Sequence, residues 1–186
     1  GVCRPTQFLD ITEVKTVDTV GTATAVDVEG NYAFLTDATQ VGGLKVFDIT
    51  HPTLTALVKE VDTPEVANRI DVADGFAYVG MASAGIAVFD LEDPENPVQA
   101  DVYDTPCQVL ALEAVPPYLY VAACDGGLLV LDIADPYDVK PLGVFPAQVC
   151  ISDVAVEGGY AFVTDLTWVR AVDVSDPENP SETASE

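Results

Sequence analysis

The chain has 186 residues, of which 49% are apolar, so it can bury the core of one domain and is not a disordered tail. Only 7 Lys and Arg face 31 Asp and Glu, which gives a net charge of −24 at pH 7. Such a surface repels nucleic-acid phosphates and anionic lipids, and no apolar run reaches the roughly 18 residues that span a bilayer. We therefore expect no nucleic-acid partner and no membrane insertion.

Residues 1–12 precede the first regular pattern and are interpreted as an N-terminal extension of a single repeat domain, residues 1–186. The chain then repeats a turn followed by an aromatic residue at Tyr32, Phe76, Tyr118 and Tyr160, at intervals of 42 to 44 residues. Matches at a regular interval of this length predict a repeat architecture. The predicted units cover residues 24–63, 68–106, 109–147 and 151–180, preceded by a strand over 13–19 and followed by a tail over 181–186.

Each unit contains short runs rich in Val, Ala and aromatic residues, separated by Gly, Pro, Asp and Asn. Turn signals about every 8 to 12 residues are typical of antiparallel strands. In the second unit we expect strands over 68–73, 76–81, 85–90 and 99–104. Four-stranded sheets repeating about every 42 residues are typical of propeller blades. The predicted fold is therefore all-β, a β-propeller of four four-stranded blades with its aromatic residues packed between them.

The last unit contains sequence for three strands, and we expect its fourth position to be filled from elsewhere. The segment before the first unit repeats the pattern of residues 58–63, which form the fourth strand of that unit. An unpaired sheet edge is an aggregation liability, so we expect this segment to complete the last blade, either within the chain or in a neighbouring molecule. This predicted assembly strand consists of Val14, Lys15, Thr16, Val17, Asp18 and Thr19.

The third strands carry the pattern Gly127-Leu-Leu-Val-Leu-Asp-Ile133 and Gly85-Ile-Ala-Val-Phe-Asp-Leu91, each followed by a turn containing Asp-Pro. This pattern resembles the LVIVD repeat family, and the likeness covers residues 13–180. The resemblance implies a propeller in a surface or secreted protein of bacteria or archaea, and hence an extracellular or cell-surface location. It implies no defined reaction, so no catalytic residue is assigned from it.

Acidic and polar residues near the strand ends are the candidate binding groups. The aspartates that end the third strands, Asp48, Asp90, Asp132 and Asp173, are interpreted as caps of the following turns rather than as a metal ring. In a propeller, the loops after the second and fourth strands share one face. A polar ring there would hold calcium or a sugar, the alternative being a solvated rim, and no other cofactor or metal is expected. The candidate ligand-binding residues are Asp37, Asp125, Asp165, Arg69, Gln108, Gln148 and Trp168.

Four cysteines, an even number, fit disulfides in an oxidising compartment. Cys107 and Cys124 lie nearly opposite each other across a predicted hairpin and could form a bridge. Cys150, before the next unit, is a competing partner. Cys3 would pair with the cysteine that remains, in this or another molecule. The alternative is that the thiols are free and buried.

An enzymatic function is not predicted. The chain has no Gly-x-Ser-x-Gly motif, and the single histidine, His51, leaves no evident base for a nucleophile. Paired carboxylates leave a hydrolase or lyase as a distant alternative. We predict a non-enzymatic extracellular module with a structural or interaction role, which assembles into an oligomer or polymer by exchange of the N-terminal strand. The other alternative is a calcium- or glycan-binding surface module, and a surface protein or glycan would then be its partner.

Overall fold

The computed structural model describes residues 13–38, 41, 43–82, 85–146, 148–165 and 167–182. In these residues, sixteen strands form four antiparallel four-stranded sheets, and strand order in each sheet follows the chain. The all-β prediction and the four blades are therefore confirmed. The first blade contains β1 (Ala23–Glu29), β2 (Tyr32–Asp37), β3 (Leu44–Asp48) and β4 (Ala56–Val61), and the second contains β5 (Ala67–Ala73), β6 (Phe76–Met81), β7 (Gly85–Asp90) and β8 (Val98–Tyr103). The third contains β9 (Ala111–Val115), β10 (Tyr118–Ala122), β11 (Leu128–Asp132) and β12 (Lys140–Phe145), and the fourth contains β13 (Asp153–Glu157), β14 (Tyr160–Thr164), β15 (Val169–Asp173) and β16 (Ser181–Glu182).

Tight turns between strands explain why the repeat is so regular. Between β5 and β6, Asp74 and Gly75 both have positive φ, 52° and 77°, which is the geometry of a two-residue hairpin turn. The turn after each third strand is closed by the predicted aspartate, since Asp48 accepts a hydrogen bond from the Thr50 N–H at 2.8 Å and Asp173 accepts one from Ser175 at 2.9 Å. The interpretation of these aspartates as turn caps is confirmed.

Among the described residues, the core consists of three apolar clusters, one at each junction between successive blades. We call the side of a blade that packs on the next blade its forward face, and the opposite side its backward face. On the forward faces, Phe34, Tyr78 and Tyr120 are 1%, 1% and 4% exposed. The alternation of apolar residues along the strands thus serves two faces, because each internal blade is covered on both sides.

The first strands of the blades are joined by a row of carboxylates. Asp27 accepts a hydrogen bond from the Val72 N–H of the second blade at 2.7 Å. Asp71 accepts one from Ala114 of the third blade at 2.6 Å. At the same repeat position in the third blade, Glu113 accepts a hydrogen bond from the Val156 N–H of the fourth blade at 2.8 Å. Each of the first three blades therefore supplies a hydrogen-bond acceptor to its successor, in addition to apolar packing.

The last blade differs from the sequence-based expectation. Its fourth strand begins with the chain's own residues, because β16 pairs with β15 through Asp173–Ser181 and Val172–Glu182. Residues 14–19 form no strand, and near them Val20 donates its N–H to Asp18 at 2.9 Å. Residues 14–19 therefore do not complete the last blade of their own chain, which was one of the two expected arrangements. A tail was expected after Pro180 because the residues that follow lack apolar alternation. However, Pro180 ends the turn as Pro97 does before β8, and a fourth strand begins directly after it.

Candidate functional site

Two of the predicted binding residues hold the backbone together. Asp37, at the end of β2, is fully buried and accepts a hydrogen bond from the Thr22 N–H at 2.9 Å. Arg69, on β5, donates to the Asn68 carbonyl at 2.7 Å and also to the Leu110 carbonyl of the third blade. A guanidinium bound to two carbonyls ties the second blade to the third. Both side chains therefore have structural contacts that account for their position.

Two others, Gln148 and Asp165, line one pocket between the third and fourth blades. Arg170 and Glu182 line the same pocket, whose volume is about 180 Å³. The Arg170 guanidinium lies between two carboxylates, with Nε 3.4 Å from Asp165 Oδ2 and Nη1 3.5 Å from Glu182 Oε1. The Asp165 side chain is 2% exposed and the Glu182 side chain 48%, so only the contact with Glu182 is an exposed ion pair of the kind that contributes little to stability.

Asp165 is held as a carboxylate by its surroundings. Its Oδ1 accepts hydrogen bonds from the Thr167 N–H at 2.7 Å and the Trp168 N–H at 2.8 Å. The Thr167 N–H, followed by the Trp168 N–H and Arg170, lowers the pKa of Asp165 despite partial desolvation. The group is therefore ionised at neutral pH and suited to accepting hydrogen bonds rather than to donating a proton.

The remaining predicted residues lie elsewhere. Asp125 is exposed in the turn between β10 and β11, and Gln108 lines a separate pocket with Cys107. Trp168 follows Asp165 in the turn before β15 and is 65% exposed. The structure thus brings Gln148 and Asp165 together, and places Asp37, Arg69, Asp125 and Gln108 at other positions along the blades.

Sequence reasoning missed Arg170 and Glu182. Arg170 occupies the repeat position filled by Lys45 in the first blade, whereas the two internal blades carry Ala87 and Leu129 there. A cation at a position that is apolar in both internal blades, in a chain with only 7 Lys and Arg, is a signal that could have identified it. Lys45 itself is 4% exposed and pairs with Glu60 at 2.5 Å. Both terminal blades therefore carry a cation paired with glutamate from a fourth strand.

Within the part of the chain that the structure describes, no group of three His, Cys, Asp or Glu side chains is arranged to hold a metal ion. The pocket at Arg170 instead offers one cation, carboxylates and the Gln148 amide. These groups can hydrogen-bond a small polar ligand, while the guanidinium would repel a divalent cation. Calcium binding remains a prediction from the sequence.

The disulfide connects two blades rather than two strands of one hairpin. Cys124, in the turn after β10, is bonded to Cys150, which precedes β13, with their Cα atoms 3.9 Å apart. The expected Cys107–Cys124 bridge is therefore wrong, because Cys124 is bonded to the competing Cys150. Cys107 is free. In the hairpin Val115 pairs with Tyr118, so residue 107 lies opposite Gly126, two residues beyond Cys124. Cys3 lies outside the described residues.

The row of carboxylates between blades contains one unusual acid. Burial raises the pKa of Asp71 from its ordinary 3.8 to about 6, the Ala114 N–H acts in the opposite direction, and Asp27 and Glu113 raise it further. Between these two values the folded chain binds more protons than the unfolded chain. The contribution of Asp71 to stability therefore falls as the pH rises from about 4 to about 6.

We expect Asp71→Asn to stabilise the protein at neutral pH. The amide oxygen can still accept the Ala114 N–H, but the charge beside Asp27 and Glu113 is lost. Because Asp71 is only partly buried, we expect a gain of about 1 kcal/mol, or roughly 2–4 °C in melting temperature, at pH 7.5. Thermal unfolding between pH 4 and 7.5 measures this. The difference from the wild type should shrink toward pH 4, and a gain of the same size at every pH would contradict the assignment.

Comparison with protein families matches the LVIVD repeat to residues 20–63, 66–105, 116–138 and 151–185. A search among curated proteins found no match. Among solved structures, the computationally designed Ika4 protein is similar with a TM-score of 0.68 and 15% identity, over 88% of this chain and 98% of that one. The designed Ika8 protein is similar with a TM-score of 0.64 and 17% identity, over 82% of this chain and 46% of that one.

These likenesses agree with the four blades and their repeated junctions. The disulfide is of the kind that oxidising compartments permit. The described residues contain no helix long and apolar enough to cross a membrane. Since the four matched segments together cover more than half of its residues, the chain belongs to the LVIVD repeat family and folds as a propeller of four such repeats.

Proposed function

We propose that the protein is a non-enzymatic structural module outside the cell, which assembles with copies of itself by donating residues 14–19 to the last blade of a neighbour. The observation that carries this proposal is the exposure of Val169, at the start of β15, whose side chain is 70% exposed. The residues at the same repeat position in the other blades, Leu44, Ile86 and Leu128, are fully buried.

The first blade supplies the register for such a donation. There Val61 pairs with Leu44, at the start of the third strand. By the repeat, Val17 corresponds to Val61 and Val169 to Leu44. A strand donated in this register would therefore pair with the start of β15, near Val169. Strand addition of this kind gains main-chain hydrogen bonds along an exposed edge.

The remaining elements of the proposal rest on chemistry already described. The disulfide supports a location outside the cytosol. Asp37, Arg69 and Asp165 are bonded to backbone groups, which favours a structural role for them over substrate turnover. The strong negative charge keeps individual copies soluble before they assemble.

Two proline substitutions test the strand donation. Val17→Pro removes an N–H from the middle of the donated strand, whereas Val14→Pro lies at its first residue, where proline is tolerated. We expect the wild type to form species larger than one chain, which sedimentation velocity and negative-stain electron microscopy would detect. Val17→Pro should weaken association by about tenfold or more, and Val14→Pro should not. Single chains at every concentration for the wild type would refute self-assembly. Unchanged assembly by Val17→Pro would refute the donated strand.

A further inference from the structure

The forward face of the last blade is exposed. Phe162 on β14 is 42% exposed, although its equivalents Phe34, Tyr78 and Tyr120 are buried against the following blades. Its neighbour on the same face, Tyr160, is 39% exposed. The same aromatic side chains that stabilise every internal junction are therefore in contact with solvent here. Exposed aromatic side chains side by side on a sheet face are typical of interaction surfaces.

The backward face of the first blade is exposed in the same way. Val26 and Val28 on β1 are 62% and 54% exposed. The residues that correspond to Val26 in the second and fourth blades, Ile70 and Val154, are each 8% exposed because they pack on the preceding blade. The first and last described blades thus expose two faces of opposite kind, and the equivalents of both faces are covered at the internal junctions.

The polar groups of these two faces also match. At internal junctions a carboxylate on the first strand accepts the N–H of the next blade, but in the last blade this position is Ala155. The N–H that would need such an acceptor belongs to Val28 in the first blade. It already donates to Asp27 Oδ1 of its own strand at 2.8 Å. Joining the two faces would therefore bury neither an unpaired N–H nor an extra carboxylate.

From this complementarity we infer that the forward face of the last blade binds the backward face of the first blade of a second copy of this chain. The inference rests on the proposed function and names the interface through which the copies meet. The contact is head-to-tail, so it produces a closed ring if the rotation between copies permits and an open chain if it does not. The donated strand 14–19 directly precedes the first blade, so both contacts come from the same neighbour.

The net charge sets the conditions for the measurement. Each copy carries −24, and repulsion between copies opposes association at low ionic strength. Salt screens this repulsion and leaves the apolar contact intact. Association should therefore strengthen between 20 mM and 500 mM NaCl, about the range over which the Debye length falls from above 20 Å to below 5 Å.

The test uses three glutamate substitutions in the full chain. Phe162→Glu and Val26→Glu each place a charge on one end face. Val98→Glu is the matched control, since Val98 is 64% exposed on the internal second blade. All three sites are exposed, so the variants should unfold at about the wild-type temperature. By sedimentation velocity, we expect both end-face variants to associate roughly a hundredfold more weakly than the wild type, and Val98→Glu to associate as the wild type does.

Mixing the two end-face variants tests the direction of the contact. Phe162→Glu retains an intact first blade and Val26→Glu an intact last blade, so a mixture should form dimers that neither variant forms alone. If both variants assemble as the wild type does while Val17→Pro does not, the interface inferred here is wrong and the strand donation stands. If the wild type stays a single chain at every concentration and salt, both are wrong, and the end faces are covered by something other than a second copy.

Discussion

Replacing Phe34 with alanine should lower the free energy of unfolding by about 3–5 kcal/mol. The side chain is 1% exposed and packs between the first and second blades, so its removal leaves a cavity that neighbouring strands cannot close without shifting. For a chain of this length the loss corresponds to a fall in melting temperature of roughly 10 °C. Thermal unfolding followed by circular dichroism measures it.

Phe162→Ala is the matched control, because Phe162 holds the same repeat position in the last blade but is 42% exposed. At concentrations where the chain is single, we expect this variant to lose less than about 1 kcal/mol, since truncating a side chain that stays in water leaves no cavity. Equal losses at both positions would show that the forward face of the last blade is covered in the single chain. That result would contradict the exposed end face.

Removing the disulfide should cause the second-largest loss in the free energy of unfolding. Cys124 and Cys150 are 26 residues apart in sequence and join the third blade to the fourth. In the chain-entropy description, closing a loop of this size stabilises the native state by about 3 kcal/mol. We therefore expect the double variant Cys124→Ser, Cys150→Ser to melt roughly 6–12 °C below the wild type.

Cys107→Ser provides the control for this experiment, because Cys107 is free and half-buried. We expect it to melt within about 2 °C of the wild type. A reducing agent should lower the melting temperature of the wild type and of Cys107→Ser, but leave that of the double variant unchanged. Equal losses of stability in Cys107→Ser and in the double variant would mean that Cys124 is bonded to Cys107 rather than to Cys150.

The sequence alone was sufficient for the strands because their determinants are local. In the second blade the expected strands over 68–73, 76–81, 85–90 and 99–104 agree with β5 to β8 to within one residue at each end. Alternating apolar residues, two-residue turns and the Asp90 cap all act within a few positions of one another. A periodic pattern that occurs four times also supplies its own confirmation, since each copy supports the assignment of the others.

The candidate site was predicted less well because its contacts join distant positions. Nothing near Arg69 in the sequence shows that its guanidinium reaches the Leu110 carbonyl, and nothing near Asp37 shows that it is buried against Thr22. Whether a polar residue at a strand end faces solvent or a neighbouring blade depends on how the blades pack. The pocket that unites Asp165 with Arg170 exists only where the third and fourth blades meet.

The sequence by itself determined the repeat, the all-β blades and the turn caps, because these depend on side-chain period and turn chemistry over a few residues. Only the tertiary structure decided that Cys124 pairs with Cys150, that Ser181 begins the last strand, and that Phe162 and Val26 are exposed while their repeat equivalents are buried. Each of these depends on hairpin register or on which blade stands beside another. The apolar pattern of the four units does not show which faces have a partner, since apolar residues occupy the same repeat positions at covered and uncovered faces.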